Sequence, residues 1–248
     1  MPELPEVETV KEALNQTVKG QTIKEIELRY EPMVKNMSAD EFKEKLINQT
    51  IQAVSRRGKY LVFHFDDYQL LSHLRMEGKY FYVDSNFELN SHVHVIFTLE
   101  NGKRLLYQDT RKFGTYHLYD KAIDLETTAP FQVLGLEPFA TEFTPSYVKE
   151  KIQNKKKPIK SLLLDQTVVC GLGNIYVDEV LYRARLHPLT SSSELTDKDI
   201  ENVVKYTVEV LARAIELGGT TIRTFRSSHG VSGTFQNELL VHQRRGEN

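Results

Sequence analysis

The sequence predicts an α+β protein: an N-terminal β-sandwich with flanking helices, followed by a C-terminal helical domain that includes two helices joined by a tight glycine turn. Three observations lead there. Strand-like runs succeed one another up to Tyr107, helical periodicity takes over after Thr144, and the stretch between, Thr128 to Thr144, is rich in proline, glycine and threonine. A chain of 248 residues suffices for one large or two small domains, each with a core. The expected division is a sandwich domain with its N-terminal helix over 1–127, a linker over 128–144, a helical domain over 145–219 and a last segment over 220–248.

The chain opens with a helix. Pro5 suits a first helical position, Glu6 and Glu8 suit the positive end of the helix dipole, and Val7, Val10, Leu14 and Val18 form a stripe to bury. Strand-like runs follow at Thr22–Tyr30, Tyr60–Phe65, Leu70–His73, Lys79–Val83, His92–Leu99 and Arg104–Tyr107. The last two flank Asn101-Gly102, a strong hairpin signal. In the first of that pair Val93, Val95, Phe97 and Leu99 are expected on one face, with His92 and His94 on the other. Ser38 and Glu41 make a capping box for a short helix near Asp40–Ile47.

In the second half, Thr144-Pro145 starts one helix and Pro158 another, which runs through Leu162-Leu163-Leu164-Asp165-Gln166. After Gly171-Leu172-Gly173, Asn174 is the expected N-cap of a helix to about Arg185, closed by His187-Pro188. Thr196 and Asp199 resemble a further capping box, and the helix from Ile200 ends at Gly218-Gly219. Glu238 to His242 reads as a short strand.

Composition excludes more than it names. No apolar run reaches the length of a membrane span, and the N-terminus lacks the shape of a signal peptide. One cysteine, Cys170, permits neither an internal disulfide nor a four-cysteine metal site, and it reads as a buried small side chain; a cytoplasmic setting is expected. His92 and His94 lack a third metal ligand. A formal net charge of −2 argues against a protein that coats nucleic acid indiscriminately. The charge is segregated, however. Arg56-Arg57-Gly58-Lys59, Arg111-Lys112 and the lysines from Lys151 through Lys160 are basic islands, each of which is either a solvated face or part of a polyanion groove. Gly171-Leu172-Gly173 lacks a third glycine and a preceding parallel strand, so it is no dinucleotide fingerprint. A glycine turn into an exposed helix N-terminus, with Lys155–Lys160 just upstream, is instead expected to bind phosphate.

The residue with most chemistry is Pro2. Once Met1 is removed it carries a free secondary amine, and an α-amino group titrates near ~7.7–8.0, so part of it is nucleophilic at neutral pH. Attack on a sugar carbon leads on to an iminium, an electron sink. Glu3 and Glu6 supply carboxylates suited to acid–base work, although the same residues also make an ordinary helix start.

Five segments, Met1–Val10, Arg56–Tyr60, His73–Gly78, Asp109–Gly114 and Gly171–Glu179, together resemble the bacterial formamidopyrimidine-DNA glycosylases, in the same order and across essentially the whole chain. The resemblance implies a β-sandwich, a helix–two-turn–helix domain and a zinc finger. It implies a base excision repair enzyme, a DNA glycosylase and lyase that removes oxidised purines (8-oxoguanine, formamidopyrimidines) from damaged double-stranded DNA. Pro2 matches the Schiff-base nucleophile, Glu3 the acid–base residue, Glu6 an auxiliary carboxylate and Lys59 a lysine of proton transfer and phosphate contact. Met76, Arg111 and Phe113 match a trio that fills the hole left by an extruded nucleotide, while His92, Lys155, Lys160 and Asn174 match phosphate contacts.

The resemblance departs at the end. In the family a segment like Val241–Glu247 leads into four zinc-binding cysteines, and this sequence reaches Asn248 without them, so that either the chain is truncated or its lineage has lost the finger. No cofactor is expected in the chain as given, and its grip on duplex DNA is expected to be reduced. Two other readings stand beside the main one: an endonuclease-VIII-type glycosylase for oxidised pyrimidines, and a catalytically impaired lesion-binding protein. Leu4, Val7, the trio and the loop around Ser227–Thr234, read as the lesion-recognition loop, favour the purine branch. A monomer with no membrane partner is expected.

Overall fold

The structure, a computed structural model, describes residues 1–220, 233–242 and 244. The lesion-recognition loop expected around Ser227–Thr234 therefore lies almost wholly outside the described residues. Two compact units emerge: one comprises Met1–Pro2 and Glu6–Leu125, the other Glu3–Pro5, Glu126–Thr220 and residues from Gly233 onward.

In the first unit, α1 (Leu4–Thr17) contributes the stripe Val7, Val10 and Leu14, with Val18 following it, to the core. Eight strands form two antiparallel sheets among the described residues. One holds β1 (Ile23–Leu28), β5 (Lys79–Val83), β6 (Val93–Leu99) and β7 (Arg104–Gln108) in the order β1-β6-β7-β5. The other holds β2 (Ala53–Arg57), β3 (Tyr60–His64), β4 (Tyr68–His73) and β8 (Thr115–Asp120) in the order β2-β3-β4-β8. Val95, Phe97 and Leu105 from the first sheet and Leu61, Phe63, Tyr116 and Leu118 from the second share one buried core, the signature of a sandwich. Helix α2 (Ala39–Leu46) adds Phe42 and Leu46 and is capped by Ser38, whose hydroxyl accepts the Glu41 N–H at 3.2 Å.

Two expectations need correction here. The register of β6 shifts between Val93 and Val95, so that Val93 joins Ile96 and Leu106 in a separate apolar cluster instead of sharing the core face with Val95. His94 is consequently buried, its Nε2 2.7 Å from the Asp109 carbonyl oxygen, while His92 stays exposed. The second correction concerns Arg56. Its guanidinium donates to Glu8 Oε2 at 2.8 Å and to the Gly58 carbonyl at 2.9 Å, so this member of the first basic island is an internal ion pair and not a solvated charge.

In the second unit, α3 (Pro145–Ile152), α4 (Ile159–Leu164), α5 (Asn174–Ala184) and α6 (Asp197–Glu216) enclose a second core that includes Val148, Leu162, Tyr176, Val180, Val203 and Leu211, together with Leu4. The expected capping box at the start of α6 is formed in both directions between Thr196 and Asp199. The turn from α4 to α5 is held by Gln166, whose amide accepts the Gly171 N–H at 2.8 Å and donates to the Leu172 carbonyl at 2.7 Å. Glu238–His242 does not form a strand. Phe235–Glu238 is a short 3-10 turn, and Leu240–His242 is fixed by a side chain described below.

Candidate active site

Pro2 is buried, and Met1 before it is exposed. Glu6 on α1 and Lys59 are also buried in the first unit, at 4% and 6% exposure. Lys59 follows Gly58 in a two-residue connection between β2 and β3, and Gly58 takes a φ of 56° at the first position, which suits a type II′ hairpin turn.

Glu3 belongs to the second unit and is 2% exposed. Its carboxylate accepts the backbone N–H groups of Gly173 (2.7 Å), Ile175 (2.9 Å) and Tyr176 (3.3 Å). Three N–H groups at a helix N-terminus are the surroundings of a carboxylate anion. This arrangement overturns two expectations. The N-cap of α5 is Gly173 rather than Asn174, with no side-chain cap of its own, and the donors expected to hold a phosphate hold Glu3 instead. The glycines owe their place to the same contact. A Cβ at Gly173 would overlap the Glu3 carboxyl, and one at Gly171, where φ is +100°, would meet Leu4 Cδ1 at 2.5 Å. Asn174 is exposed at the first turn of α5.

Met76 is 37% exposed and Phe113 51%, as loop tips require, and Arg111 is exposed beside them in sequence with its guanidinium carbon 4.7 Å from the Phe113 ring centroid. Buried groups shape the turns that carry them. His73 Nδ1 accepts the Arg75 N–H at 2.9 Å, just before Met76. Burial, with the charges of Arg75 and Lys59 adding to it, pushes the His73 imidazole down to about 3, so it stays a neutral acceptor. Asp109, 1% exposed, accepts the N–H groups of Arg111 (3.0 Å), Phe113 (2.9 Å) and Gly114 (2.9 Å).

Lys155 and Lys160 are both half-buried. Lys160 Nζ lies 2.6 Å from Asp178 Oδ1 on α5, so it already has a carboxylate partner. Glu179, one residue on, is fully buried and accepts the N–H groups of Leu240 (3.0 Å), Val241 (2.9 Å) and His242 (3.1 Å), with Arg183 Nη1 at 2.8 Å. Burial pushes this carboxyl up, but those three N–H groups and Arg183 outweigh it and hold the group below the usual range. Asp109, His73 and Glu179 all lie in the segments that carry the resemblance, and the sequence alone points to no role for them, save that an aspartate two residues before Arg111 is the pattern of an Asx turn.

Among the described residues no group of three or more His, Cys, Asp or Glu is placed to hold a metal, and Cys170 is the only cysteine of the sequence, so these residues do not fit the family's zinc. No helix among the described residues is long and apolar enough to cross a membrane.

The described residues thus form a sandwich unit with Pro2 buried and a helical unit whose glycine turn is held by Glu3. Residues 1–116 match the formamidopyrimidine-DNA glycosylase N-terminal domain, and residues 134–226 match the H2TH domain of the same enzymes. The chain is 46% identical over 248 residues to the formamidopyrimidine-DNA glycosylases of Bacillus licheniformis and Bacillus subtilis, covering 100% of this chain and 90% of each relative. Its fold is similar to that of the wild-type Lactococcus lactis Fpg in complex with DNA containing an N7-benzyl-Fapy-dG (TM-score 0.91, 42% identity, 100% of this chain and 90% of that one). It is likewise similar to Lactococcus lactis Fpg in complex with DNA containing an abasic site (TM-score 0.90, 41% identity, 99% and 90%). The chain belongs to the formamidopyrimidine-DNA glycosylase family.

Proposed function

We propose that this chain is a bifunctional glycosylase and lyase of base excision repair that acts on oxidised purines in damaged duplex DNA, with Pro2 as nucleophile. The observation that supports this most directly is the fixing of Glu3, the residue bonded to Pro2, by three backbone N–H groups of the α5 turn. A carboxylate tied down in this way stays oriented while the neighbouring amine reacts.

In this reading the Pro2 amine forms a bond to C1′ of the damaged nucleotide. The glycosidic bond breaks, and the base leaves with the electron pair and takes up a proton. Opening of the sugar ring gives an iminium, which acidifies the C2′ protons, so loss of one such proton expels the 3′ phosphate and a second elimination expels the 5′ phosphate. Glu3 and Glu6 handle protons near the sugar, and Lys59 serves proton transfer and the phosphate beside the lesion. Met76, Arg111 and Phe113 enter the stack, which recovers part of an unstacking cost of a few kcal/mol. His92, Lys155, Lys160 and Asn174 contact phosphates, positioning the duplex without reading its sequence. In this reading residues 1–127 carry the chemistry, 128–144 link, 145–219 bind DNA, and 220–248 comprise the lesion-recognition loop and the start of a zinc-finger region.

Borohydride trapping on abasic DNA, paired with intact-mass measurement, tests the reading. A chain that has lost Met1 should trap, Pro2→Gly should trap weakly, and a Met1-retaining chain should not trap at all. Undiminished trapping with Met1 in place would move the nucleophile to a lysine. Release of 8-oxoguanine in preference to an oxidised pyrimidine is the expected substrate order.

A further inference from the structure

The two turns that display Met76 and the Arg111–Phe113 pair meet at one buried hydroxyl. Tyr107, on β7, is nearly inaccessible, and its ring is wedged between Tyr80 and Tyr116, with centroids 5.3 and 5.6 Å away. A Cβ built on Gly78, which ends the Met76 turn, would overlap the Tyr107 hydroxyl, and so would one built on Gly114, which ends the Arg111–Phe113 turn. Both backbones therefore pass against the same oxygen. That hydroxyl donates to Asp109 Oδ2 at 3.4 Å, and Asp109 in turn holds three N–H groups of the second turn. The first turn closes on itself through the Gly78 N–H and the Leu74 carbonyl at 2.9 Å.

We propose that the Tyr107 hydroxyl and the Asp109 carboxylate form a single buried hub that fixes the spacing of the two wedge-bearing turns, which makes Tyr107 and Asp109 positioning residues for nucleotide extrusion. Burial, reinforced by the Asp109 charge, raises the Tyr107 phenol far above its ordinary range, so it remains a donor at any working pH. The hub is anchored because the Tyr107 ring belongs to the sandwich core. A wedge must arrive at the base stack as one unit, and a displacement of about 1 Å can cost on the order of 100-fold.

The proposal rests on Met76 and Phe113 acting as wedges, and the test separates the two ideas. Tyr107→Phe and Asp109→Asn, made in the full chain, are compared on lesion-bearing duplex and on a single-stranded abasic oligonucleotide, which has no stack to fill. Each should lower kcat/KM on the duplex by about tenfold or more, mainly through KM, while single-strand trapping stays within about twofold of the parent. 2-Aminopurine placed opposite the lesion should show a reduced fluorescence rise in both variants. On a Met76→Ala, Phe113→Ala background, Tyr107→Phe should cost at most about twofold further, because only the Arg111 side chain of the trio is left to position. Equal losses on duplex and single strand, or a full additional loss on the wedge-free background, would reduce the hub to a packing feature and overturn the proposal. If Asp109→Asn does not fold, Tyr107→Phe alone decides, since it removes one oxygen and keeps the ring. Normal duplex processing by the Met76→Ala, Phe113→Ala chain would overturn the wedge reading, and the hub's function with it.

Discussion

Glu3 carries two duties that its position makes inseparable. It closes the N-terminus of α5, and it stands beside the proposed nucleophile. Glu3→Gln keeps the shape but turns an amide N–H₂ toward N–H donors, so base release should fall by about 10²–10⁴ and stability by about 1 kcal/mol, with DNA binding little changed. Single-turnover release of 8-oxoguanine, alongside a binding titration, checks this; binding that falls in step with activity would leave Glu3 a structural role only. Gly173→Ala should reproduce the activity loss with Glu3 itself unaltered, because its Cβ would displace the Glu3 carboxyl. His73 makes a different prediction. Its folded value, about 3, lies below an unfolded value near ~6.5. Its contribution to stability is therefore full above pH ~6.5 and is lost as pH falls toward about 3, at no more than about 1.4 kcal/mol per unit. Denaturant titrations at pH 7, 6, 5 and 4 should show a shallower decline for His73→Gln than for the parent.

At the level of elements, Glu179 fastens the segment Leu240–His242 to α5. Because its folded pKa is depressed, this attachment is strongest above the ordinary carboxylate range and is lost as pH falls through the lower folded value. Glu179→Gln should release the segment at neutral pH, and amide hydrogen exchange at Leu240–His242 should speed up while α5 stays protected; unchanged exchange there would deny Glu179 the anchoring role. The elements also show what a sequence reveals and what it conceals. Strands with an apolar run and a turn signal, such as β6 and β7 around Asn101-Gly102, are readable from the sequence. The two overlooked strands, β2 and β8, are both edge strands of the second sheet. β2 places only Val54 in the core, and its Arg56 and Arg57 read as a basic island because the partner of Arg56, Glu8, is 48 residues away. The bulge at Val93/Val95 escaped for a similar reason: strict alternation was the simplest pattern, and only the pairing register breaks it. The proposed site residues come from resemblance to the family segments. The groups that hold them are harder to read: Gln166 binds backbone groups 5 and 6 residues away, Tyr107 looks like any core aromatic, and only Asp109 leaves the local pattern of an Asx turn.

For the whole molecule, a formal charge of −2 means that DNA affinity must come from a few well-placed cations. Each phosphate neutralised should add about −0.9 to the slope of log K against log salt. Lys155→Ala should therefore flatten the slope by roughly one such increment. Lys160→Ala should flatten it less, since Lys160 is already paired with Asp178 and must share itself with a phosphate. Fluorescence anisotropy across a salt series measures both, and equal slopes for Lys155→Ala and the parent would remove that lysine from the interface.

The bond between Glu3 and Gly173 also sets an order of events during synthesis. Its partners are 170 residues apart, so the Glu3 carboxylate lacks these N–H donors until α5 has left the ribosome. At roughly 5–20 residues per second, that interval lasts about ten to thirty seconds. Throughout it the Met1–Pro2 bond stands open to an aminopeptidase, whereas in the finished fold Pro2 is buried. Nascent chains stalled before Gly173 emerges should already lack Met1. The proposed nucleophile is then freed first, and the N–H donors that hold the Glu3 carboxylate arrive afterwards.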